Sequence, residues 1–531
     1  MDTLECPRCG RPTTEQDLAE SHWANEAVIN QLREDRPEWS PKAGACVACV
    51  QEALLLLLIQ EGAATFYESV QSVWPLDASA AFGALPTPLR MRADPRYTGK
   101  GLTVAVLDAG FYPHPDLIEP VNRICAWVDV GGEEPQALRF GPDDKPTWPG
   151  WDAGEAHQWH GLMTSTTLAG NGWLSHGLYS GMAGEAQLVL IQVRQPDGRI
   201  SNDSIRRGLA WLRTNGPELG VRVVSLSVAG DPVEPLVDNP VDAAVAELVA
   251  AGMVVLAAAG NDGQRSLVPP ATAPAAITVG GIDDQNTLLA EDVALWHSNY
   301  GLSGEGALKP ELVAPSIWVV APVLPGTETA AEAAELFARR AAGDGSVEGR
   351  VDELKLVTPH YQHVDGTSFA TPLVAAAVAC LLEANPRLDP DQVRDVLQAT
   401  AETIPDVPIE RQGHGVIDVG QAIALARHLR RGARLDWQRV PQITPEGILY
   451  ALDADEAGQV ELLGSWDEWR TPGLLATETE PGLWVIYQDR LPSGVYHYKF
   501  MIDGHRWLLD PANRARVPDG AGGLNSVLTI P

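Results

Sequence analysis

Short apolar segments rich in β-branched residues recur through the middle of this chain, and they constrain its fold more than any other feature. Stretches with helical periodicity separate them, and five of them read LTVAVLD, AQLVLIQV, VRVVSLSV, MVVLAAAG and AAITVGG. A strand that is apolar on both sides must be covered on both faces, which is typical of a parallel sheet between two layers of helices. We therefore expect residues 96–428 to form a three-layer α/β/α domain with a mostly parallel sheet.

The flanking segments follow other patterns. Residues 1–60 hold four of the six cysteines, and residues 61–95 form a mixed segment that we interpret as an extended lead-in. A basic connector, RHLRRGARLDWQR, leads to residues 440–531, where polar and apolar residues alternate between Gly/Pro turns. Such alternation predicts an antiparallel β-sandwich.

Charge and cysteine content exclude several classes of function. The chain has 38 basic and 70 acidic residues among 531, a net charge of −32, which disfavours nucleic acid and acidic membranes as partners. The start, MDTLECPRCG, lacks the basic and apolar regions of a secretory signal, and the longest apolar run, ALLLLLI, is too short to span a bilayer. Six cysteines in this length do not indicate a disulfide framework. We expect a cytoplasmic protein.

Three polar side chains stand where strand ends and helix starts would meet. Asp108 ends the segment LTVAVLD, His160 precedes a helix of small residues, and Ser368 begins a long apolar helix. A serine nucleophile needs a base, a group that orients the base, and donors for the oxyanion, which one edge of an α/β sheet can supply. His157 and His176 compete for the role of base, and simple capping also fits the serine and the aspartate.

The motifs around these residues closely resemble those of the subtilisin-like serine peptidases over roughly residues 96–428. Ser368 lies in GTSFATP and Asp108 in VAVLDAG, and the order aspartate, histidine, serine is that of subtilisin. The spacing from His160 to GMAGEAQLVLIQV fits the family's next strand better than the spacing from the later histidine.

The resemblance implies a role for each residue. Ser368 would attack the scissile carbonyl, His160 would act as general base and then acid, and Asp108 would orient the imidazole. Asn261, in VVLAAAGNDG, would donate to the oxyanion together with the backbone N–H of Ser368. The implied substrate-edge strand and side-chain pocket consist of Ser227, Val228 and Ala229, and of Ala258, Ala259 and Gly260. These small apolar residues suggest that the pocket tolerates apolar substrate side chains.

Some positions depart from the family pattern. Ala109 replaces the usual serine, and Gly161-Leu162-Met163 replaces the usual Gly-Thr-His. A catalytically inactive scaffold that binds protein partners or glycogen is therefore the alternative hypothesis. The composition of residues 325–357 predicts an inserted acidic helix before the nucleophile. This insert is either a surface excursion or a lid over the cleft.

Two Cys-x-x-Cys pairs occupy the N-terminal segment, at Cys6 and Cys9 and at Cys46 and Cys49. Four thiolates in two such pairs suit a tetrahedral structural zinc. The pattern resembles a zinc ribbon or treble clef, although 36 residues separate the pairs. A redox dithiol is the alternative, and the sequence leaves calcium undecided.

The C-terminal segment resembles the glycogen- and starch-binding β-sandwich modules of kinase regulatory subunits and branching enzymes. The resemblance covers about residues 455–531 and rests on YHYKFMIDG, the pair Asp510-Pro511 and the ending GGLNSV. Flat aromatic rings and polar donors match the two kinds of surface on a sugar ring. The implied binding residues are Trp469, Lys499, Trp507 and Asn525. A role in docking or packing is the alternative.

Overall fold

The computed structural model contains a cysteine-bearing helical module, a central α/β domain and a C-terminal β-domain. It describes residues 4–21, 24–34, 36–61, 63–73, 83–148, 154–233, 239–289, 292–427, 441–443, 447–454, 457–480, 482–510, 513, 515–519 and 524–530. The basic connector after Arg427 and Pro511 lie outside the described residues, as does part of the predicted lead-in.

The N-terminal module combines a small hairpin with four helices. The hairpin pairs β1 (Leu4–Glu5) with β2 (Pro12–Thr13), and the helices are Glu15–Glu20, Glu26–Glu34, Val47–Glu61 and Ala63–Val73. The third helix crosses residue 60, and Phe66 and Val70 of the fourth share one apolar core with the cysteines. Leu178 and Leu288 of the central domain pack against this core, so the module is attached to that domain.

The central domain is built on one nine-stranded sheet. Its strands are β3 (Thr103–Asp108), β4 (Ile124–Asp129), β5 (Gln136–Arg139), β6 (Gln187–Gln192), β7 (Val221–Leu226), β8 (Val254–Ala258), β9 (Ile277–Asp283), β10 (Ala294–Leu295) and β13 (Leu312–Pro315). The order is β10-β9-β8-β7-β3-β6-β4-β5, with β13 also beside β9. All pairs are parallel except the two at the edges, which involve β5 and β10.

Helices cover both faces of this sheet. All six residues of β3 are buried, and they alternate between two cores: Val104 and Val106 on one face, Ala105 and Leu107 on the other. The helices of the domain are Thr87–Arg90, Pro115–Ile118, Gln158–Ala169, Asn202–Asn215, Pro240–Ala250, Glu328–Ala341, Glu348–Glu353, Thr367–Ala384, Pro390–Ala399, Ile409–Gln412 and Val419–Ala426. The predicted three-layer α/β/α fold with a mostly parallel sheet is confirmed.

The apolar helix Thr367–Ala384 runs through the first core. Among the described residues it alone has the length and apolar composition of a membrane span, and most of it is buried in this domain. Its small residues allow close packing on the sheet and on the helix Gln158–Ala169. Close packing of these two helices positions their N-terminal turns, which carry His160 and Ser368.

The predicted insert lies between two strands of a separate hairpin. Two short hairpins follow the main sheet, β11 (Gly301–Leu302) with β12 (Leu308–Lys309), and β14 (Val319–Pro322) with β15 (Tyr361–Val364). The helices Glu328–Ala341 and Glu348–Glu353 connect β14 to β15 and bury a small apolar cluster of their own. The insert therefore folds as a compact addition, joined directly to the strand that leads to Ser368.

The C-terminal domain consists of two antiparallel sheets. One has the order β16-β17-β21-β20, and the other β19-β18-β22-β25-β24 with β23 beside β22. Their strands are β16 (Gln442–Ile443), β17 (Gly447–Asp453), β18 (Val460–Gly464), β19 (Leu474–Leu475), β20 (Thr477–Glu480), β21 (Leu483–Asp489), β22 (Gly494–Ile502), β23 (Arg506–Leu508), β24 (Arg516–Pro518) and β25 (Leu524–Ile530). Apolar side chains of both sheets form one core, which fits the predicted β-sandwich.

Candidate active site

An aspartate–histidine pair lies at the carboxyl end of the central strand. Asp108 ends β3, and His160 lies in the first turn of the helix Gln158–Ala169. The Nδ1 atom of His160 is 2.6 Å from Oδ1 of Asp108, whose side chain is 0% exposed. Burial lowers the pKa of the imidazole, but the charge of Asp108 and this hydrogen bond outweigh burial, and the net pKa lies above the ordinary value.

Two further donors hold the buried carboxylate. Thr164, one helical turn after His160, donates its hydroxyl to Oδ2 of Asp108 at 2.8 Å, and the backbone N–H of Ala109 donates to Oδ1 at 2.6 Å. The sequence analysis missed Thr164, although its i+4 spacing from the histidine places both side chains on one helix face. Ala109, which replaces the usual serine, contributes through its backbone, so the substitution does not remove this donor.

The two competing histidines lie elsewhere. His157, at the start of the same helix, is 3.4 Å from the carboxylate of Glu155. His176 has a left-handed backbone (φ 53°) at the end of the turn Trp173–Ser175. Of the three histidines, His160 makes the hydrogen bond to Asp108.

Ser368 lies in the first turn of the apolar helix, and this turn lies near the histidine. The preceding Gly366 has φ 136°, a conformation that favours glycine and lets the chain turn sharply from β15 into the helix. The ring of the next residue, Phe369, lies 5.8 Å from the ring of His160. Ser368 is half-buried, and its hydroxyl makes no hydrogen bond with any residue that the structure describes. The turn that carries the nucleophile candidate therefore lies near the base, and the Ser368 hydroxyl is not engaged elsewhere among the described residues.

Asn261 is fixed against the same turn. Its side-chain oxygen accepts from the backbone N–H of Thr367 at 3.0 Å and from the Thr367 hydroxyl at 2.8 Å. The amide nitrogen then faces the turn, where a Cβ on Gly366 would lie 3.4 Å from it. This orientation offers an N–H donor beside the N-terminus of the Ser368 helix, which the resemblance implies for an oxyanion site.

A cavity of about 250 Å³ lies beside this turn. It is lined by Val228, Ala229, Ala258, Ala259, Gly260, Asp262, Gln264, Ser266, Val268 and Asn299. Five of the six residues named from the resemblance are among them. Ser227 is not, because its hydroxyl instead donates to the backbone carbonyl of Ser368 at 2.8 Å. The sequence analysis missed the polar members of the lining.

The four N-terminal cysteines form one cluster. Cys6 and Cys9 lie in the tight turn after β1, and Cys46 and Cys49 lie around the start of the helix Val47–Glu61. Their sulfurs are all within 4.8 Å of one another, and three of the S···S distances are 3.6, 3.7 and 4.0 Å. Four sulfurs about 2.3 Å from a tetrahedral metal lie about 3.8 Å apart. The cluster could therefore hold a metal ion.

One outer face of the C-terminal domain gathers the implied sugar-binding residues. Lys499 of β22 precedes Met501 by two positions, and Met501 pairs with Trp507 of β23, so Lys499 and Trp507 share a face. Tyr498 of β22 pairs with Ser526 of β25, so the adjacent residues Lys499 and Asn525 both lie on the other face of the sheet. Trp469 lies against Trp507, with ring centroids 6.1 Å apart and ring planes at 72°.

The side chains of this face differ in their exposure and in their existing partners. Trp507 is 48% exposed, whereas Asn525 is 7% exposed. The ammonium of Lys499 lies 2.8 Å from the carboxylate of Asp519. Trp484 is buried inside the sandwich and belongs to its core.

Two family models match parts of this chain. Residues 99–415 match the model of the subtilase family, and residues 454–531 match that of the glycogen recognition site of AMP-activated protein kinase. The serine protease AprX of Bacillus subtilis is 29% identical over 61% of this chain and 67% of its own length. Subtilisin BL of Lederbergia lenta is 28% identical over 58% of this chain and 86% of its own length.

A solved structure, that of the prenylagaramide maturation protease PagA, is 20% identical and covers 64% of this chain and 96% of its own, with a TM-score of 0.42. The subtilase match spans more than half of the 531 residues. The chain therefore belongs to the subtilase family and is a serine protease of that family, with a glycogen-recognition domain on its C-terminal side.

Proposed function

We propose that this protein is an intracellular serine endopeptidase that uses Asp108, His160 and Ser368 as its catalytic triad. The observation that carries the proposal is the 2.6 Å contact between the buried carboxylate and the imidazole. The helix turn that carries Ser368 lies near this imidazole, because the ring of the next residue, Phe369, is 5.8 Å from the imidazole ring. The hydroxyl oxygen of Ser368 attacks the scissile carbonyl carbon while Nε2 of His160 takes its proton. His160 then gives this proton to the leaving amine, and a water molecule repeats the sequence to release the acyl group.

Each charge that develops during the reaction lies next to a group that stabilises it. The imidazolium that forms lies against Asp108, and the raised pKa of His160 expresses the same attraction. The oxyanion receives the amide N–H of Asn261 and the backbone N–H of Ser368, at the positive end of the helix dipole. An extended substrate would pair its backbone with residues 227–229, which follow β7, and would place one side chain in the 250 Å³ cavity.

The alternative, an inactive scaffold, rested on Ala109 and Leu162. Neither substitution removes a hydrogen-bond donor to the Asp108 carboxylate. Ala109 donates through its backbone N–H, and Leu162 is buried in the domain. We therefore favour an active enzyme.

Active-site labelling separates the two possibilities. We expect a fluorophosphonate probe to label the purified protein, Ser368→Ala to abolish labelling, and Ser346→Ala, which changes an exposed serine in the insert, to leave it intact. Folded protein that does not label would support the scaffold instead.

We further propose that the cysteine cluster holds a structural zinc ion. The support is the S···S spacing and the additional N–H donors to sulfur: the backbone N–H of Cys46 donates to Cys6 at 3.3 Å, and Arg8 donates to Cys49 at 3.5 Å. A bound zinc would join the hairpin turn to the helix Val47–Glu61. Metal analysis should give one zinc per chain, and Cys6→Ser should reduce it; cysteines that form disulfides without metal would support the redox alternative.

The intracellular location is part of the proposal. None of the six cysteines forms a disulfide in the structure, as expected of a protein in a reducing compartment. Fractionation of cells that express the full chain tests this point, and recovery of the protein outside the cytoplasm would contradict it.

The C-terminal domain is proposed to bind α-glucan through the face that carries Trp469 and Trp507. The exposed Trp507 ring and its neighbour form an apolar corner against which the face of a sugar ring can pack. Co-sedimentation with glycogen should be lost in Trp507→Ala and retained in Trp159→Ala, which removes an exposed tryptophan from the protease domain. Retained binding in Trp507→Ala would leave docking as the role of the domain.

A further inference from the structure

A short segment after β10 holds the loop that carries Asn261. The backbone N–H of Asn299 donates to the carbonyl of Gly260 at 2.9 Å, and its side-chain oxygen accepts from the backbone N–H of Asp262 at 2.9 Å. The Nδ1 atom of His297 is 2.7 Å from the carbonyl oxygen of Asn261. These three contacts fix the peptide groups on both sides of the proposed oxyanion donor.

The hydrogen bond from His297 runs in one direction. A carbonyl oxygen only accepts, so Nδ1 of His297 carries a proton and donates it to the carbonyl of Asn261. The imidazole stacks on the buried ring of Trp296, with ring centroids 3.8 Å apart and ring planes at 30°. The backbone N–H of Trp296 donates to the carbonyl of Gly281 in β9 at 3.0 Å. The donor is therefore anchored to the main sheet through its neighbour.

The side chain of Asn261 is held separately, by the helix that carries Ser368. Its oxygen accepts from the backbone N–H and from the hydroxyl of Thr367. With the backbone carbonyl held by His297 and the side-chain oxygen held by Thr367, few positions remain for the amide nitrogen. An oxyanion donor stabilises the transition state most when its position is set before the charge develops.

Building on the proposed peptidase function, we propose that His297 is a positioning residue for the oxyanion donor Asn261. It acts through the backbone carbonyl of Asn261, and the proton transfers of the reaction belong to His160. Because the oxyanion forms only during the reaction, loss of this hydrogen bond should lower kcat and leave KM nearly unchanged.

Two substitutions of similar size test the proposal. His297→Asn places an amide N–H close to the position of Nδ1, whereas His297→Leu has nearly the same shape and no donor. Both variants lose the stacking on Trp296, so a difference between them reports the hydrogen bond. For one peptide, kcat should fall by about tenfold in His297→Leu and stay within about threefold of the wild type in His297→Asn, with KM unchanged in both.

A double-mutant cycle with Asn261→Ala shows whether the effect passes through the oxyanion donor. Once the amide is absent its position no longer matters, so His297→Leu should not lower kcat further in that background.

His505→Leu is the matched control. His505 is also exposed, and its Nδ1 atom lies 2.6 Å from the carbonyl oxygen of Asp503. This second histidine lies in the turn between β22 and β23 of the C-terminal domain. Loss of its hydrogen bond should therefore leave kcat unchanged.

The outcomes separate this proposal from the proposed activity. Each rate is divided by the fraction of chains that a fluorophosphonate labels at completion, so loss of folded enzyme is not counted as a loss of kcat. Four results would each overturn the positioning role and leave the peptidase intact: wild-type kcat in His297→Leu, equal losses in the Leu and Asn variants, a rise in KM alone, or the full loss again in the Asn261→Ala background. Absence of both labelling and hydrolysis in the wild type would overturn the activity and the positioning role together.

Discussion

The backbone carbonyl of the nucleophile lacks its ordinary helical partner, and one side chain replaces it. In a helix the carbonyl of Ser368 would accept from the N–H of residue 372, but that residue is Pro372, inside the helix. The hydroxyl of Ser227 donates to this carbonyl at 2.8 Å instead. We therefore predict that Ser227 positions the turn carrying Ser368, rather than contacting substrate through its side chain.

Ser227→Ala tests this role and should cost about 1–2 kcal/mol of unfolding free energy. Ser227 is buried, and an unsatisfied part-buried carbonyl costs roughly this amount. Because the loosened turn carries the nucleophile, kcat/KM should also fall by about tenfold, a value in keeping with small misplacements of reacting groups.

A double-mutant cycle makes the test specific. In a Pro372→Ala background, the new backbone N–H can donate to the Ser368 carbonyl, so Ser227→Ala should cost close to nothing there. Denaturant unfolding and peptide hydrolysis are measured for the wild type, both single variants and the double variant. Equal costs of Ser227→Ala in the two backgrounds would refute the reasoning.

Four further predictions concern the triad, the oxyanion donor Asn261 and the cysteine cluster. Thr164→Val, which removes a donor to a buried carboxylate, should lower the unfolding free energy by about 1.5–3 kcal/mol. Thr166→Val on the same helix loses bonds to helix carbonyls only, and should cost less by the same denaturant measurement. Because the base must be neutral, kcat/KM should be full above the raised pKa of His160 and decrease as pH falls through it; a midpoint below 6.5 in the pH–rate profile would contradict this. Asn261→Ala should lower kcat by about 10²–10³ with little change in KM, measured on one peptide. A chelator should lower the thermal midpoint of the wild type but not that of Cys49→Ser, and equal shifts in both would argue against a structural metal.

The sequence alone predicts the main strands and helices of the central domain. It also predicts at which ends of these elements catalytic side chains could lie. Uninterrupted apolar runs predict strands that are covered on both faces. The position of Asp108 at the end of one run identifies it as a candidate catalytic residue. The serine follows from a turn that enters an apolar helix. Periodicity and burial are local properties of the chain, so residues alone can predict them.

The local sequence pattern does not predict which side chains contact one another in the folded protein. Three histidines lie within 20 residues of one another, and the preference for His160 came from a spacing typical of the family. Its contact with Asp108 depends on how one helix packs on the sheet. Asn299 reaches the loop at Asp262 from 37 residues away, and such contacts are set by tertiary packing rather than by any motif.

The C-terminal domain shows how docking and glucan binding can coexist in one sandwich. Alternate residues of its first sheet, including Leu449, Ala451 and Val485, join the core of the protease domain. The hydroxyl of Thr477 adds a hydrogen bond to the carbonyl of Ala401 at 2.8 Å. The intervening residues of that sheet fill the sandwich core, so the outer face of the second sheet, with Trp507, lies on the side away from the protease.

This arrangement bears on how a bound glucan would act. The sheet that docks buries apolar side chains on both of its faces, so separating the two domains would expose an apolar surface to water. A domain held in this way does not behave as a module on a free tether, and a glucan bound at the outer face would keep the catalytic cleft at a fixed distance from the polymer. Selection of substrates would then depend on which proteins lie close to that polymer as well as on how their side chains fit the cavity beside Ser368.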